Sequence, residues 1–119
     1  MEDIDQFLLP QLKRKTKLKK MSRKLIVTEE KRTWYLGRYI HRDILPAVIF
    51  KNGDKQWWFD GCKHRDNDLP AIDYKSGLKI WMFMGRVHRE DGPSVIYPNG
   101  DREWHDFGKL IKWEKAKNE

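Results

Sequence analysis

A glycine, a tryptophan and a second glycine recur at four-residue steps three times along this chain: Gly53, Trp57 and Gly61; Gly77, Trp81 and Gly85; Gly100, Trp104 and Gly108. The period is 23–24 residues, too short for a unit that folds alone, so the copies must stack to bury anything. Each copy opens on His-Arg, at His41-Arg42, His64-Arg65 and His88-Arg89. Each then reaches Pro46, Pro70 or Pro93, always seven residues before the first glycine. Only the stretch from His-Arg to Pro varies, being one residue longer in the second copy, which marks it as loop.

The residues in between predict a hairpin. Proline fixes φ and donates no hydrogen bond, which suits the first residue of a strand. Ala47-Val48-Ile49-Phe50, Ala71-Ile72-Asp73-Tyr74 and Ser94-Val95-Ile96-Tyr97 then read as β-branched and aromatic strands. Asn52-Gly53, Ser76-Gly77 and Asn99-Gly100 accept the positive φ of a tight turn. The return strand carries the tryptophan, and the second glycine ends it. Alternation puts Val48, Ile72 and Val95 on one face with Phe50, Tyr74 and Tyr97, opposite Ala47, Ala71 and Ser94. It puts Trp57, Trp81 and Trp104 on a face with Lys55, Lys79 and Arg102.

A degenerate copy precedes the three, with Leu25-Ile26-Val27-Thr28 and Thr33-Trp34-Tyr35-Leu36-Gly37 as strands around Glu29-Glu30. After Gly108 one more copy begins with Lys109-Leu110-Ile111-Lys112-Trp113 and stops. The expected fold is mainly β: a single-layer, solenoid-like antiparallel sheet of tandem β-hairpin repeats over residues 25–113. Within it, residues 25–37 are the cap and residues 41–61, 64–85 and 88–108 the repeats. Residues 1–24 form an N-terminal arm, helical or extended, and residues 114–119 a charged tail.

The arm carries its own signals. Ile4, Phe7 and Leu8 fall on one face of a short helix ended by Pro10, an apolar anchor for a partner protein. Residues 11–24 contain eight basic side chains and no acidic one: Lys13, Arg14, Lys15, Lys17, Lys19, Lys20, Arg23 and Lys24. Of the net charge of +7, residues 1–33 hold +5, so the body behind them is nearly balanced. Such a run attracts nucleic acid, an acidic protein face or an anionic membrane.

The unit resembles MORN-type repeats, in which Gly- and aromatic-rich hairpins stack side by side into an elongated sheet. More narrowly, His88-Arg89-Glu90-Asp91-Gly92-Pro93-Ser94 is similar to the His-Arg-x-Asp-Gly-Pro-Ala variant found in proteins of large phages and large DNA viruses. The first two copies depart from it, with Leu45 and Leu69 in place of Gly. The resemblance covers about residues 25–110. It implies a stacked-hairpin architecture and a role as a protein-interaction or lipid-contacting scaffold.

Several function classes are disfavoured. The longest apolar run, residues 44–50, contains Pro46 and is far short of the roughly 20 residues of a transmembrane helix. No signal peptide is expected. Cys62 is the sole cysteine, which excludes an internal disulfide and C-x-x-C metal motifs and fits a cytoplasmic protein. Equivalent histidines in a regular stack lie roughly 9–10 Å apart, so His41, His64 and His88 cannot share one metal ion. They and Trp57, Trp81 and Trp104 are expected to be structural, with Asp43, Asp66 and Asp91 as local acceptors. Serines are few (Ser22, Ser76 and Ser94), and no Gly-rich phosphate loop occurs, so neither catalysis nor a cofactor is expected.

These features point to a non-enzymatic interaction scaffold or inhibitor, a phage or viral accessory protein acting on a host protein or complex. One alternative is a nucleic-acid binder using the basic arm and the Trp face, with Trp58, Lys55, Lys79 and Arg102 as exposed contacts. A second is a virion structural component that assembles through its open sheet edges.

Overall fold

The computed structural model describes residues 22–117; Ile4, Phe7 and Leu8, and Lys13, Arg14, Lys15, Lys17, Lys19 and Lys20, lie outside them. The described residues form fourteen strands and no helix, every pairing is antiparallel, and ten strands join one open sheet. The mainly β hairpin sheet expected from the sequence is the fold that forms.

The degenerate unit comes first. β1 (Arg23–Val27) pairs β2 (Lys31–Leu36), and the Lys31 amide donates to Thr28 Oγ1 at 3.2 Å across the turn. Arg23 and Lys24, grouped with the arm on charge, are strand residues opposite Leu36 and Tyr35. β2 then turns tightly into β3 (Tyr39–Ile40).

Each repeat contributes two hairpins where the sequence predicts one. In the first, β4 (Val48–Phe50) pairs β5 (Lys55–Gln56), and β6 (Trp58–Phe59) pairs β7 (Cys62–Lys63). The second holds β8 (Ile72–Asp73) with β9 (Lys79–Ile80), and β10 (Met82–Phe83) with β11 (Arg86–Val87). In the third, β12 (Val95–Ile96) pairs the long β13 (Arg102–Asp106), which pairs β14 (Lys109–Glu114). The first hairpins close through three-residue loops such as Lys51-Asn52-Gly53, with the Phe50 amide donating to Asp54 O at 2.9 Å.

The second glycine of each copy therefore turns the chain again rather than ending the unit. Asp60 and Gly61 have φ of 47° and 79°, Met84 and Gly85 of 45° and 88°, and Phe107 and Gly108 of 43° and 92°. Two consecutive positive φ values are the mark of a two-residue type I′ hairpin loop. At Gly61 a Cβ would also fall 2.9 Å from the Tyr39 ring, so no other residue fits there without displacing the preceding unit. The second hairpins stack on one another: Gly61, Gly85 and Gly108 donate to the carbonyls of Ile40, Lys63 and Val87 at 2.8–2.9 Å.

Strand pairing breaks at Trp57 and Trp81, between the two hairpins of each inner unit. The alternation that grouped Lys55 with Trp57 stops at that crease, and Lys55 is exposed while Trp57 is buried. Ala47, Ala71 and Ser94 are fully enclosed, and Val48, Ile72 and Val95, next in the chain, are buried as well. Both faces of the strand layer are thus covered here. The His-Arg loops supply part of that cover, since the Trp57 indole N–H donates to Ile44 O and that of Trp81 to Asp68 O, both at 3.1 Å.

The result is a long, thin plate of 65 × 40 × 18 Å. Its radius of gyration is 18.0 Å, against about 13 Å for a compact chain of this length. No helix among the described residues is long and apolar enough to cross a membrane.

Candidate partner-binding face

The His-Arg pair organises the site. His41 is buried, and His64 and His88 are nearly so. The amides of Asp60, Met84 and Phe107, at the tips of the second hairpins, donate to Nδ1 of His41, His64 and His88 at 2.9–3.1 Å. An Nδ1 that accepts leaves the ring hydrogen on Nε2. That Nε2 then donates to Asp43 and Asp66 at 2.8 Å and to Glu90 at 2.7 Å. In the third unit the acceptor is Glu90, not the Asp91 expected from the sequence. The longer Glu side chain reaches the ring from the same place, two residues after the histidine, that Asp holds in the other copies.

The arginine faces the preceding unit. Arg42, Arg65 and Arg89 lie 3.9, 3.6 and 3.9 Å over the rings of Trp34, Trp57 and Trp81, always eight residues earlier in the chain. Each also donates to a carbonyl of its own loop, those of Pro46, Pro70 and Pro93, at 3.0–3.2 Å. At the C-terminal end Lys112 takes this place, 4.6 Å over Trp104. The cations over the inner tryptophans are therefore the loop arginines rather than Lys55 or Lys79. Only Arg102 meets its expected ring, 5.5 Å from the centre of Trp104. Trp57 and Trp81 are buried, so their rings offer no stacking platform to a base.

The other residues marked from the sequence lie apart. Lys55 and Lys79 belong to first hairpins, and Lys79 pairs with Asp73 at 2.8 Å. Arg102 pairs with Glu114. Trp58 is half-buried, with its indole N–H on Gln56 Oε1 at 3.0 Å and Lys63 5.2 Å over its ring. Arg23 reaches Asp43 at 3.4 Å.

One triad-like arrangement occurs where the repeat is irregular. Ser94 Oγ lies 2.7 Å from His105 Nδ1, and His105 Nε2 lies 3.6 Å from Glu103. Ser94 has no exposed surface, however, so its hydroxyl fills a space occupied elsewhere by an alanine methyl and meets no substrate. Among the described residues no three His, Cys, Asp or Glu side chains are placed to hold a metal ion.

What the sequence did not single out is a ridge of exposed aromatics on the second hairpins. Phe59, Phe83 and Phe107 are 40–50% exposed, and Met84 adjoins them. Each ring packs on the histidine of its own unit, at 4.6 Å for His41, 4.9 Å for His64 and 3.8 Å for His88. Phe59 also lies 6.3 Å from His64, and Phe83 lies 6.0 Å from Phe107, so the row is continuous across units. Beside it exposed Ile44 and Leu69 project from the His-Arg loops into the groove that Phe59 lines.

Between successive loops the plate has two equivalent grooves, of about 180 Å³ beside Trp57 and Phe59 and about 330 Å³ beside Trp81 and Phe83. Arg65, Asp66 and Asn67 wall both. Two carboxylates on this face, Asp43 and Asp68, are held charged. The His41 hydrogen bond, helped by the nearby Arg23 charge, keeps Asp43 below its ordinary pKa, and the Arg89 hydrogen bond does the same for Asp68.

No protein-family model, curated protein or solved structure matches the chain.

Proposed function

We propose that this protein is a non-enzymatic interaction scaffold or inhibitor whose loop-side face binds a partner protein. The observation that carries this reading is the continuous exposed row of Phe59, Phe83, Met84 and Phe107, flanked by Ile44 and Leu69. Isolated apolar residues are ordinary on a surface, but a contiguous apolar patch rimmed by charge is typical of protein contact sites. The row rides on hairpins locked by histidine and tryptophan hydrogen bonds, so little ordering cost opposes binding. The resemblance of His88-Arg89-Glu90-Asp91-Gly92-Pro93-Ser94 to a repeat of large phages and DNA viruses supports a phage or viral accessory protein acting on a host protein in the cytoplasm.

The test is capture of partners by the full chain at about 1 M salt, where screening shortens electrostatic reach to about 3 Å. A partner held by the ridge stays bound in wild type and is released by the Phe59→Ser/Phe83→Ser double variant. Retention by that variant would sink the reading, and loss from both proteins together with salt-sensitive DNA or RNA binding would favour the basic run instead.

Self-assembly into a virion component is a second reading, favoured by the sheet ends. β1 and β14 each have one neighbour strand among the described residues, and Leu25, Ile26, Val27, Leu110, Ile111 and Trp113 on them are exposed. Sedimentation of the purified chain separates the two: self-association abolished by Val27→Lys supports assembly, and a concentration-independent monomer refutes it.

A further inference from the structure

We propose that the two inter-repeat grooves together take an extended basic peptide in polyproline II conformation, with a lysine or arginine at every third residue. The proposal rests on the scaffold reading and names the partner's chemistry.

The grooves lie side by side on either side of a shared wall of Arg65, Asp66 and Asn67, and each has a phenylalanine, Phe59 or Phe83, at its side. Aromatic-lined grooves suit polyproline II segments, which lose little conformational entropy on docking. Charge selects the side chains. The groove beside Phe83 is lined by Asp66, Asp68, Glu90 and Asp91 against the guanidinium groups of Arg65 and Arg89. Both arginines are already committed to tryptophan rings and proline carbonyls. The Asp66 and Glu90 side chains are 78% and 81% exposed. Each uses one oxygen on its histidine, and the other has no partner among the described residues, as is true of Asp91. Arg23 on Asp43 at 3.4 Å shows that a guanidinium can seat on the wall of the neighbouring groove.

Spacing completes the match. Successive units are offset by two strand separations, roughly 9–10 Å. A polyproline II helix repeats every three residues and advances about 9.3 Å in doing so. A cation at every third position therefore meets the same wall of the next groove. That this acidic lining sits on a chain of net charge +7 makes it a local feature that a bulk charge argument would miss.

The experiment is fluorescence anisotropy of the full chain with a labelled peptide of Pro-Pro-Lys triplets, compared with a peptide of equal composition whose lysines are contiguous. The spaced peptide is expected to bind about tenfold more tightly than its isomer, and the Asp66→Asn/Asp91→Asn and Glu90→Gln/Asp91→Asn variants to weaken it about tenfold each. Asn at Asp66 and Gln at Glu90 keep an amide oxygen that accepts from Nε2 of His64 and His88, so loss of binding by both, with an unchanged circular dichroism spectrum, is not a folding defect. Lys51→Gln/Lys75→Gln, on the first-hairpin turns, is expected to change affinity less than about twofold. Equal binding of the two peptides, no binding, or binding indifferent to both acidic variants overturns the proposal. If the peptides fail while a partner is still released by Phe59→Ser/Phe83→Ser, the scaffold reading stands without this partner; if that double variant retains its partner, the scaffold reading itself falls.

Discussion

The Arg65 guanidinium lies 3.6 Å over the Trp57 ring of the preceding unit and donates to Pro70 O at 3.1 Å in its own loop. One side chain thus ties two units together by stacking and by a charge-assisted hydrogen bond. Arg65→Leu is expected to cost about 2–3 kcal/mol in chemical denaturation, and Arg65→Lys, which keeps the charge but not the planar fork, about half of that. A loss near zero would mean that the stacking is incidental. At Asp68 both carboxylate oxygens accept from Arg89, at 2.8 and 3.2 Å, and this hydrogen bonding lowers its pKa. A carboxyl whose folded pKa lies below its unfolded value stabilises the fold above that unfolded value, about 3.9, and the stability is lost as pH falls through the folded one. An acid titration of stability followed by circular dichroism should therefore fall less steeply below about pH 4 in Asp68→Asn than in wild type. Gly92 illustrates a residue-level reason why the third loop differs. Its φ is +146°, and a Cβ there would meet Arg89 Nη1 at 2.9 Å. The leucine found at this place in the other copies, Leu45 or Leu69, would not fit the third loop unchanged.

The tight second hairpins are the elements that carry the ridge. Met84 and Phe107 sit at φ of 45° and 43°, where side chains other than Asn, Asp and Gly are strained. Met84→Asn is expected to raise stability by about 1 kcal/mol, since its amide can still donate to His64 Nδ1 at 3.0 Å. A decrease would show that Met84 packing outweighs backbone strain. The first hairpins are tied by a different device. Asp54 Oδ1 accepts the Lys75 amide of the next turn at 2.8 Å, and Asp101 Oδ1 accepts the Ala116 amide at 2.7 Å. Between them Leu78 stands in the acceptor's place and Pro98 in the donor's, so donor and acceptor are missing together. The period, the proline-led strands and the first turns were legible in the sequence because each rests on local residue chemistry. The second hairpins were not. In the sequence Gly61, Gly85 and Gly108 look like strand ends, because Asp60, Met84 and Phe107 before them share no residue type. The ridge is hidden in the sequence for the same reason: Phe107 stands one position nearer its glycine than Phe59 and Phe83 do. Strand alternation pairs the tryptophans with Lys55 and Lys79 only if the strand runs through Trp57 and Trp81, and it stops there.

The plate as a whole behaves as a one-dimensional stack, in which each unit is stabilised by its neighbours. The inner Trp57 and Trp81 are buried, while Trp34 and Trp104 at the ends are only half-buried. Amide exchange at Gly61 and Gly85 is accordingly expected to be about tenfold or more slower than at Gly37 and Gly108, and uniform rates would argue for a single cooperative block. The two ends also differ. Both edge strands carry two basic residues, but β14 has a bulge opposite Trp104 and His105, a feature that blunts an edge, whereas β1 pairs β2 in regular register along its length. The long faces differ as well, with Lys51, Lys55 and Lys75 on the first hairpins and the phenylalanine row on the second. Amide hydrogen exchange of the full chain with and without a partner it retains at high salt tests most directly that this second face is the working one. Protection is expected in the His-Arg loops, residues 42–46, 65–70 and 89–93, and in the second-hairpin strands β6, β7, β10 and β11. Protection confined to the first-hairpin turns around Gly53, Gly77 and Gly100, or to the edge strands β1 and β14, would contradict it.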